Sequence, residues 1–135
     1  MLEGINFFAV AACIISSWLL GGLWYSKFLF GKMWCGDANL NKKQDRHPAI
    51  VFVIAFVLWT ITAVAFASAL GPNAPLQFAT FIGLLTGSCF VATSFGVNYA
   101  FAGRSFKLFL IDGGYHILQF VLYGMILGGW NQYNI

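Results

Sequence analysis

The chain has 135 residues, of which 60% are hydrophobic and only 8% are charged. A soluble domain carries about 25% charged residues, and one of this size buries only about two-thirds of the surface that its unfolded chain exposes. A soluble globular protein is therefore excluded, and the length allows one domain, residues 1–135, with lipid as its solvent. The net charge of +3 comes from scattered basic residues, too dispersed for a nucleic-acid-binding surface.

Four apolar segments follow one another along the chain, and each is long enough for a transmembrane helix, which needs about 20 residues. The predicted helices span about residues 5–26, 48–70, 76–99 and 106–130. Pro48 suits a first helical position, where its missing N–H goes unused. The turn at 71–75 is short, so the second and third helices are expected to pack as antiparallel neighbours. The predicted fold class is an all-α integral membrane protein with four transmembrane helices in an antiparallel bundle.

The basic residues predict the orientation of this bundle. All of them lie in the loop 27–47 or just before and within the start of the fourth helix: Lys27, Lys32, Lys42, Lys43, Arg46, Arg104 and Lys107. The positive-inside rule then predicts that both basic loops are cytoplasmic and that both termini are on the other side. No Lys or Arg precedes the first helix, so we expect it to be retained rather than cleaved as a signal peptide. The predicted location is the cell (inner) membrane, as a multi-pass protein.

Small residues spaced four apart predict the helix faces that contact protein, because helices in lipid associate through close packing. They are Ser17 and Gly21 in the first helix, Gly83 and Gly87 in the third, and Gly124 and Gly128 in the fourth. The second helix is expected to expose the most surface to lipid, since its hydroxyls can bond within their own helix. Cys13 and Cys89 are interpreted as small packing residues, and no CxxC pair predicts a zinc or redox site.

A polar stripe interrupts the fourth helix. Asp112, His116, Gln119 and Tyr123 follow one another at helical spacings on one face, with Tyr115 beside them. Counted from the start of the helix, Asp112 lies about 9 Å deep and His116 about 15 Å. The third helix carries a comparable stripe that includes Ser94 and Asn98. We expect the two stripes to face each other.

This stripe admits a functional and a structural interpretation. Charges are costly in the bilayer core, so an ionisable residue there is a functional hypothesis by default. In the structural alternative Asp112 reaches water or a cation such as Lys32, or is protonated, while His116 is neutral and bonds Ser94 or a serine of the first helix. The structural role is preferred, because no second acid accompanies Asp112. Asp112 and His116 alone are too few ligands for a metal site.

A short internal repeat links the ends of the first and third helices. Gly22-Leu-Trp-Tyr25 is followed by Gly31-Lys32, and Gly96-Val-Asn-Tyr99 is followed by Gly103-Arg104. A true repeat would relate two helical hairpins by an axis along the membrane normal. Apolar membrane sequences also produce such matches by chance.

Two longer motifs resemble a known family. GGLWYSKFLFGKMW (21–34) is similar to its G-x-L-W-Y-S-x-x-x-F-G-K-x-W pattern, and the segment 90–130 resembles its run through GR-x-x-K-L-F-L-I, a Gly-Tyr and a closing G-x-I-L-G-x-W. This family of small bacterial membrane proteins is known as domain of unknown function 1761. The resemblance covers nearly the whole chain and implies a four-helix integral membrane protein, with no activity to carry over. The family often has an amide at the position of Asp112.

Together these patterns predict a non-enzymatic membrane protein that acts as a homo-oligomer or as an accessory subunit of a larger membrane complex. No motif surrounds a candidate nucleophile and base, and no cofactor or metal is expected. The expected partners are the lipid bilayer and other membrane subunits, not nucleic acid. The alternative function is a channel or transporter for protons, cations or small solutes, lined by Asp112, His116, Gln119, Tyr115 and Asn98.

Overall fold

The computed structural model describes residues 2–37 and 47–133, and within these ranges the chain is helical without β-strands. The helices are α1 (Phe7–Trp24), α2 (Gly31–Asp37), α3 (Pro48–Leu70), α4 (Leu76–Leu85), a π-helical segment (Thr86–Ala92), α5 (Thr93–Ala102) and α6 (Phe106–Tyr133). In these described ranges four stretches are long and apolar enough to cross a membrane: α1, α3, the continuous run 76–102 and α6. This confirms the predicted all-helical class with four candidate transmembrane helices. Residues 38–46 of the predicted basic loop 27–47, including Lys42, Lys43 and Arg46, lie outside the described residues.

Local chemistry explains where α1 and α3 begin. The Asn6 side chain accepts hydrogen bonds from the first free N–H groups of α1, those of Phe8 and Ala9. Pro48 occupies the first turn of α3, and the His47 ring accepts the Ala49 N–H at 3.2 Å. α1 ends at Trp24, and the chain turns sharply before α2 at Gly31, where a Cβ would overlap the backbone of the preceding turn.

The last helix, α6, is the centre of the fold. Half of the residues in the most apolar stretch of α6 are buried, against 11% of the residues in the corresponding stretch of α3. α1 packs on one side of α6, and α4, the π segment and α5 pack on another. α3 is the least buried of the four candidate transmembrane helices, as expected, and its Thr60 and Thr62 hydroxyls donate to carbonyls of their own helix.

The predicted pairing of the second and third helices is wrong. α3 packs chiefly on α1, whereas α4 packs on α6. The reason is side-chain size: Gly83 and Gly124 let the backbones of α4 and α6 approach closely. The core beside them joins α1, α3 and α6 through Ala9, Val10, Cys13, Ala63, Phe66, Ala67, Phe120, Tyr123 and Leu127. Cys13 is buried in this core, while Cys89 is exposed and is not a core packing residue.

The π segment changes the register of the third transmembrane helix. On its first half Gly83 and Gly87, four residues apart, lie against the α6 backbone. From the last residue of the π segment onward, the residues that meet α6 are Ala92, beside Gly113, and Gly96, beside the Phe109 ring. The step from Gly87 to Ala92 is therefore five residues, the spacing of a π turn. Every residue after it is rotated by one position relative to a continuous α-helix.

Candidate functional site

The polar side chains of α6 form two separate hydrogen-bonded groups. The first, the Ser17 network, joins α1 to α6 through Ser17, His116, Gln119 and Tyr123. The Ser17 hydroxyl lies 2.5 Å from the Tyr123 hydroxyl, and the Gln119 amide nitrogen donates to both, at 2.9 and 3.2 Å. His116 Nδ1 lies 2.8 Å from Gln119 Oε1. Ser17 and Tyr123 are fully buried, so these bonds form away from lipid and water.

Counting protons determines the direction of each bond in the Ser17 network. Ser17 also donates to the Cys13 carbonyl, at 3.3 Å. With the contacts among Ser17, Tyr123 and the Gln119 amide nitrogen this makes four bonds, which need one proton from each hydroxyl and two from the amide. A flipped amide would leave bonds without protons. Gln119 Oε1 therefore accepts from His116 Nδ1–H, and Nε2 of a neutral His116 is an acceptor.

The second group, the Asp112 clamp, consists of Asp112, Tyr25 and Tyr99. Tyr25 donates to one carboxylate oxygen at 2.5 Å, and Tyr99 donates to the other. Asp112 is only 7% exposed. Among residues 2–37 and 47–133 no basic side chain pairs with it, so the ion pair with Lys32, one of the alternatives left open by the sequence, is not formed. Two phenol hydroxyls, one from the residue that follows α1 and one from α5, satisfy this buried carboxyl group.

The internal repeat identifies both phenols. Tyr25 and Tyr99 occupy matching positions in the two copies of the motif, and each follows a glycine by three residues. In the structure the two hydroxyls meet on the two oxygens of one carboxylate. Neither tyrosine belongs to the predicted polar stripe, and the repeat is the sequence signal that could have found them.

Ser94 and Asn98 are not where the predicted stripe placed them. Both side chains are exposed, and the Ser94 hydroxyl donates to the Phe90 carbonyl of its own helix at 2.6 Å. The π segment rotates the helix by one residue, so Phe95 and Tyr99 face α6 instead. The Phe95 ring stacks on the His116 ring with centroids 4.9 Å apart. His116 thus bonds neither Ser94 nor a first-helix serine directly; Gln119 connects it to Ser17.

The predicted packing glycines are all used within one protomer. A Cβ on Gly87 would lie 2.7 Å from the Ile117 backbone, and one on Gly128 would lie 2.7 Å from the Leu76 backbone. Gly83 and Gly124 are closer still to the facing helix. Gly21 lies beside the Tyr115 ring, whose hydroxyl donates to the Ser17 carbonyl at 3.0 Å. These faces pack the helices of one chain and do not remain free for a second copy.

A cleft opens between α1 and α3 and reaches α6. It arises because α3 is anchored to the bundle through Ala63, Phe66 and Ala67, while its first half is exposed. This lateral cleft has a volume of about 800 Å³. It is lined by Trp18, Leu19, Gly21, Gly22, Tyr25, Phe52, Trp59, Tyr115 and His116. It brings together members of both polar groups with aromatic walls.

We expect Ser17→Ala to lower the free energy of unfolding by about 1–2 kcal/mol, since Gln119 and Tyr123 lose a buried partner. Ser16→Ala is the matched control, because among the described residues the Ser16 hydroxyl bonds only the Cys13 carbonyl of its own helix. This variant should change stability by less than about 0.5 kcal/mol. Unfolding by denaturing detergent in mixed micelles measures both. Equal effects of the two variants would contradict the Ser17 network.

The four apolar helices and the polar groups buried among them are features of a multi-pass membrane protein. Within the described ranges no group of three or more His, Cys, Asp or Glu side chains is arranged to hold a metal ion. The model of the family described as "Protein of unknown function (DUF1761)" matches residues 8–128, and the chain belongs to this family. No curated protein and no solved structure matches the chain. The resemblance recognised in the sequence motifs is thereby confirmed.

Proposed function

We propose that this chain is a non-enzymatic protein of the inner membrane that acts through association within the bilayer. It forms a homo-oligomer or serves as an accessory subunit of a larger membrane complex. The contact surface is the outer face of α3, made of Ile54, Leu58, Ile61, Ala65 and Ala69.

The incomplete attachment of α3 carries this proposal. The helix is 23 residues long, yet its buried residues are Ala63, Phe66 and Ala67. Ile61 and Ala65 project from the opposite side of the helix, as their spacing from these three requires, and both are exposed. Ala65 and Ala69 are four residues apart, and small residues at this spacing let a second helix approach closely.

Two further observations support the non-enzymatic part and the orientation. The hydroxyls of Ser17, Tyr25, Tyr99 and Tyr115 each donate to an acceptor within the protomer, which favours structural bonding over an activated nucleophile. The exposed basic residues Lys27, Lys32, Arg104 and Lys107 lie near the helix ends that the Asp112 clamp joins. Under the positive-inside rule this end is cytoplasmic and both termini lie outside.

Transport of protons, cations or small solutes is the second candidate. The lateral cleft favours it, because the cleft gives Tyr25 and His116 a common opening. Two features rank it below association. In the described part of the chain no hydrogen bond links the Asp112 clamp to the Ser17 network, and the network ends at the buried hydroxyl of Tyr123.

The association is tested by native mass spectrometry of protein purified from its own membranes in mild detergent. We expect the wild type to carry a second copy or a foreign subunit in fixed stoichiometry. The double variant Ala65→Leu/Ala69→Leu should lose it, because larger side chains hold the helices apart. Ala100→Leu, at an exposed position of α5, is the matched control and should keep it. A monomeric wild type, or an unchanged complex in the double variant, would rule out this interface.

A further inference from the structure

The lateral cleft lies on the face of α3 opposite to the proposed association surface, and it contains a polar floor. We propose that it binds an uncharged, lipid-dissolved amphiphile that carries a hydroxyl group. The hydroxyl donates to Nε2 of His116, and the apolar chain lies between α1 and α3. This inference does not depend on the association proposed above.

The hydrogen bonds already present select a ligand that donates. The Tyr25 hydroxyl proton is given to Asp112, and the Tyr115 hydroxyl proton is given to the Ser17 carbonyl. His116 gives its Nδ1 proton to Gln119, as the proton count of the Ser17 network requires. The floor of the cleft therefore offers His116 Nε2 as an acceptor, the nearby phenol protons are already used, and the Trp59 indole is bonded to the Tyr115 side chain. The Trp18 indole N–H in the wall is a further donor, whose hydrogen bond the oxygen of a bound hydroxyl can accept. A hydroxyl group supplies the missing proton.

The absence of charge in the lining determines the kind of head group. None of the nine residues that line the cleft is Lys, Arg, Asp or Glu. His116 is ten residues into α6, about 15 Å from its start, which is near the middle of a hydrocarbon core about 30 Å thick. A phosphate or carboxylate there would lose its hydration without gaining a counter-ion. An alcohol or phenol has no such cost.

The apolar part of the ligand has a matching surface. A second space of about 500 Å³, lined by Ile14, Ile15, Val53 and Phe56, shares Trp18, Phe52 and Trp59 with the lateral cleft. The two spaces therefore adjoin along these three side chains and together make a groove with a polar and an apolar end. Ligand pockets commonly have volumes of about 300–1,000 Å³, apolar walls and few polar groups.

Tryptophan fluorescence provides the test, because Trp18 and Trp59 form the walls of the groove and bromine quenches indole emission on contact. The full-length protein is reconstituted in phosphatidylcholine vesicles and titrated with dibromostearyl alcohol, its methyl ether or dibromostearate. We expect saturable quenching by the alcohol and about five- to tenfold weaker binding of the ether, the value of one hydrogen bond. Dibromostearate should bind more weakly than the alcohol.

Two variants locate the binding site. Gly22 lines the cleft and a Cβ there meets no atom of the described residues within 4 Å, so Gly22→Leu should fold and block the cleft. Gly129→Leu is the matched control, since Gly129 has equally open space outside the cleft lining. His116→Phe should weaken binding of the alcohol about five- to tenfold and leave binding of the ether unchanged. His47→Phe, at the other histidine, should change the affinity for neither compound.

Competition distinguishes the sources of the hydroxyl. Unlabelled dioleoylglycerol and a long-chain phenol are added to the quenched complex, and recovery of emission by either shows which kind of lipid hydroxyl fits. Quenching that never saturates would overturn the proposal, because it would reflect partition into bulk lipid. Equal affinities for alcohol and ether, tighter binding of dibromostearate, or no effect of Gly22→Leu would each overturn it as well.

Discussion

Leucine at Gly83 or at Gly124 is expected to prevent the protomer from folding. A Cβ on Gly83 would overlap the Phe120 carbonyl, and a Cβ on Gly124 would overlap the Ala79 carbonyl. These are backbone atoms of rigid helices, so no side-chain rotation relieves the overlap. Overpacking of a tight core costs about 1–3 kcal/mol. The cost of forcing two helices apart should exceed this range. Neither variant should yield monodisperse protein in mild detergent.

Gly129→Leu is the control for this experiment, because it adds the same side chain to α6 where no atom of residues 2–37 and 47–133 lies within 4 Å. Size-exclusion chromatography and unfolding by denaturing detergent should find it close to the wild type. The comparison also separates protomer folding from association. If Gly83→Leu and Gly124→Leu gave well-folded monomers from an oligomeric wild type, these glycines would form an intersubunit contact and the close packing of α4 on α6 would be wrong.

The second large effect concerns the Asp112 clamp. In the variant Tyr25→Phe/Tyr99→Phe the buried carboxyl group keeps neither donor, and we expect the free energy of unfolding to fall by about 2–6 kcal/mol, because each buried hydrogen bond lost in this way costs about 1–3 kcal/mol. Adding Asp112→Leu to this variant should restore most of that loss. Replacing all polar partners by apolar groups of similar shape is close to neutral.

The sign of this rescue distinguishes a hydrogen-bonded clamp from simple packing. Denaturing-detergent titrations of the single, double and triple variants measure it, with Tyr133→Phe as the control at an exposed tyrosine of α6. If Asp112→Leu lowered stability further in the absence of both hydroxyls, the carboxyl group would have another partner. The structure would then be wrong about what satisfies Asp112.

Much of the architecture followed from residue type and spacing. Segment lengths predicted the four helices, because a bilayer core requires long apolar runs whatever their packing. The glycine pairs of the third and fourth helices predicted close contact. The structure places Gly83 and Gly124 at positions where the backbones of α4 and α6 meet. Spacing alone could not say that these faces meet within one chain. Nor could the short turn at 71–75 reveal that α3 packs on α1.

The residues by themselves determined that α6 carries Asp112, His116 and Gln119 on one face, since helical spacing is a local property. Only the tertiary structure decided what meets that face. Gly83 and Gly87 contact α6 before and at the beginning of the π segment, and Ala92 contacts it at the end. The distance between these contacts accommodates five residues in one turn. The resulting rotation exchanges Ser94 and Asn98 for Phe95 and Tyr99. A one-residue shift of this kind depends on the partner helix, and it turns a predicted serine and asparagine stripe into an aromatic stack on His116 and a phenol bond to Asp112.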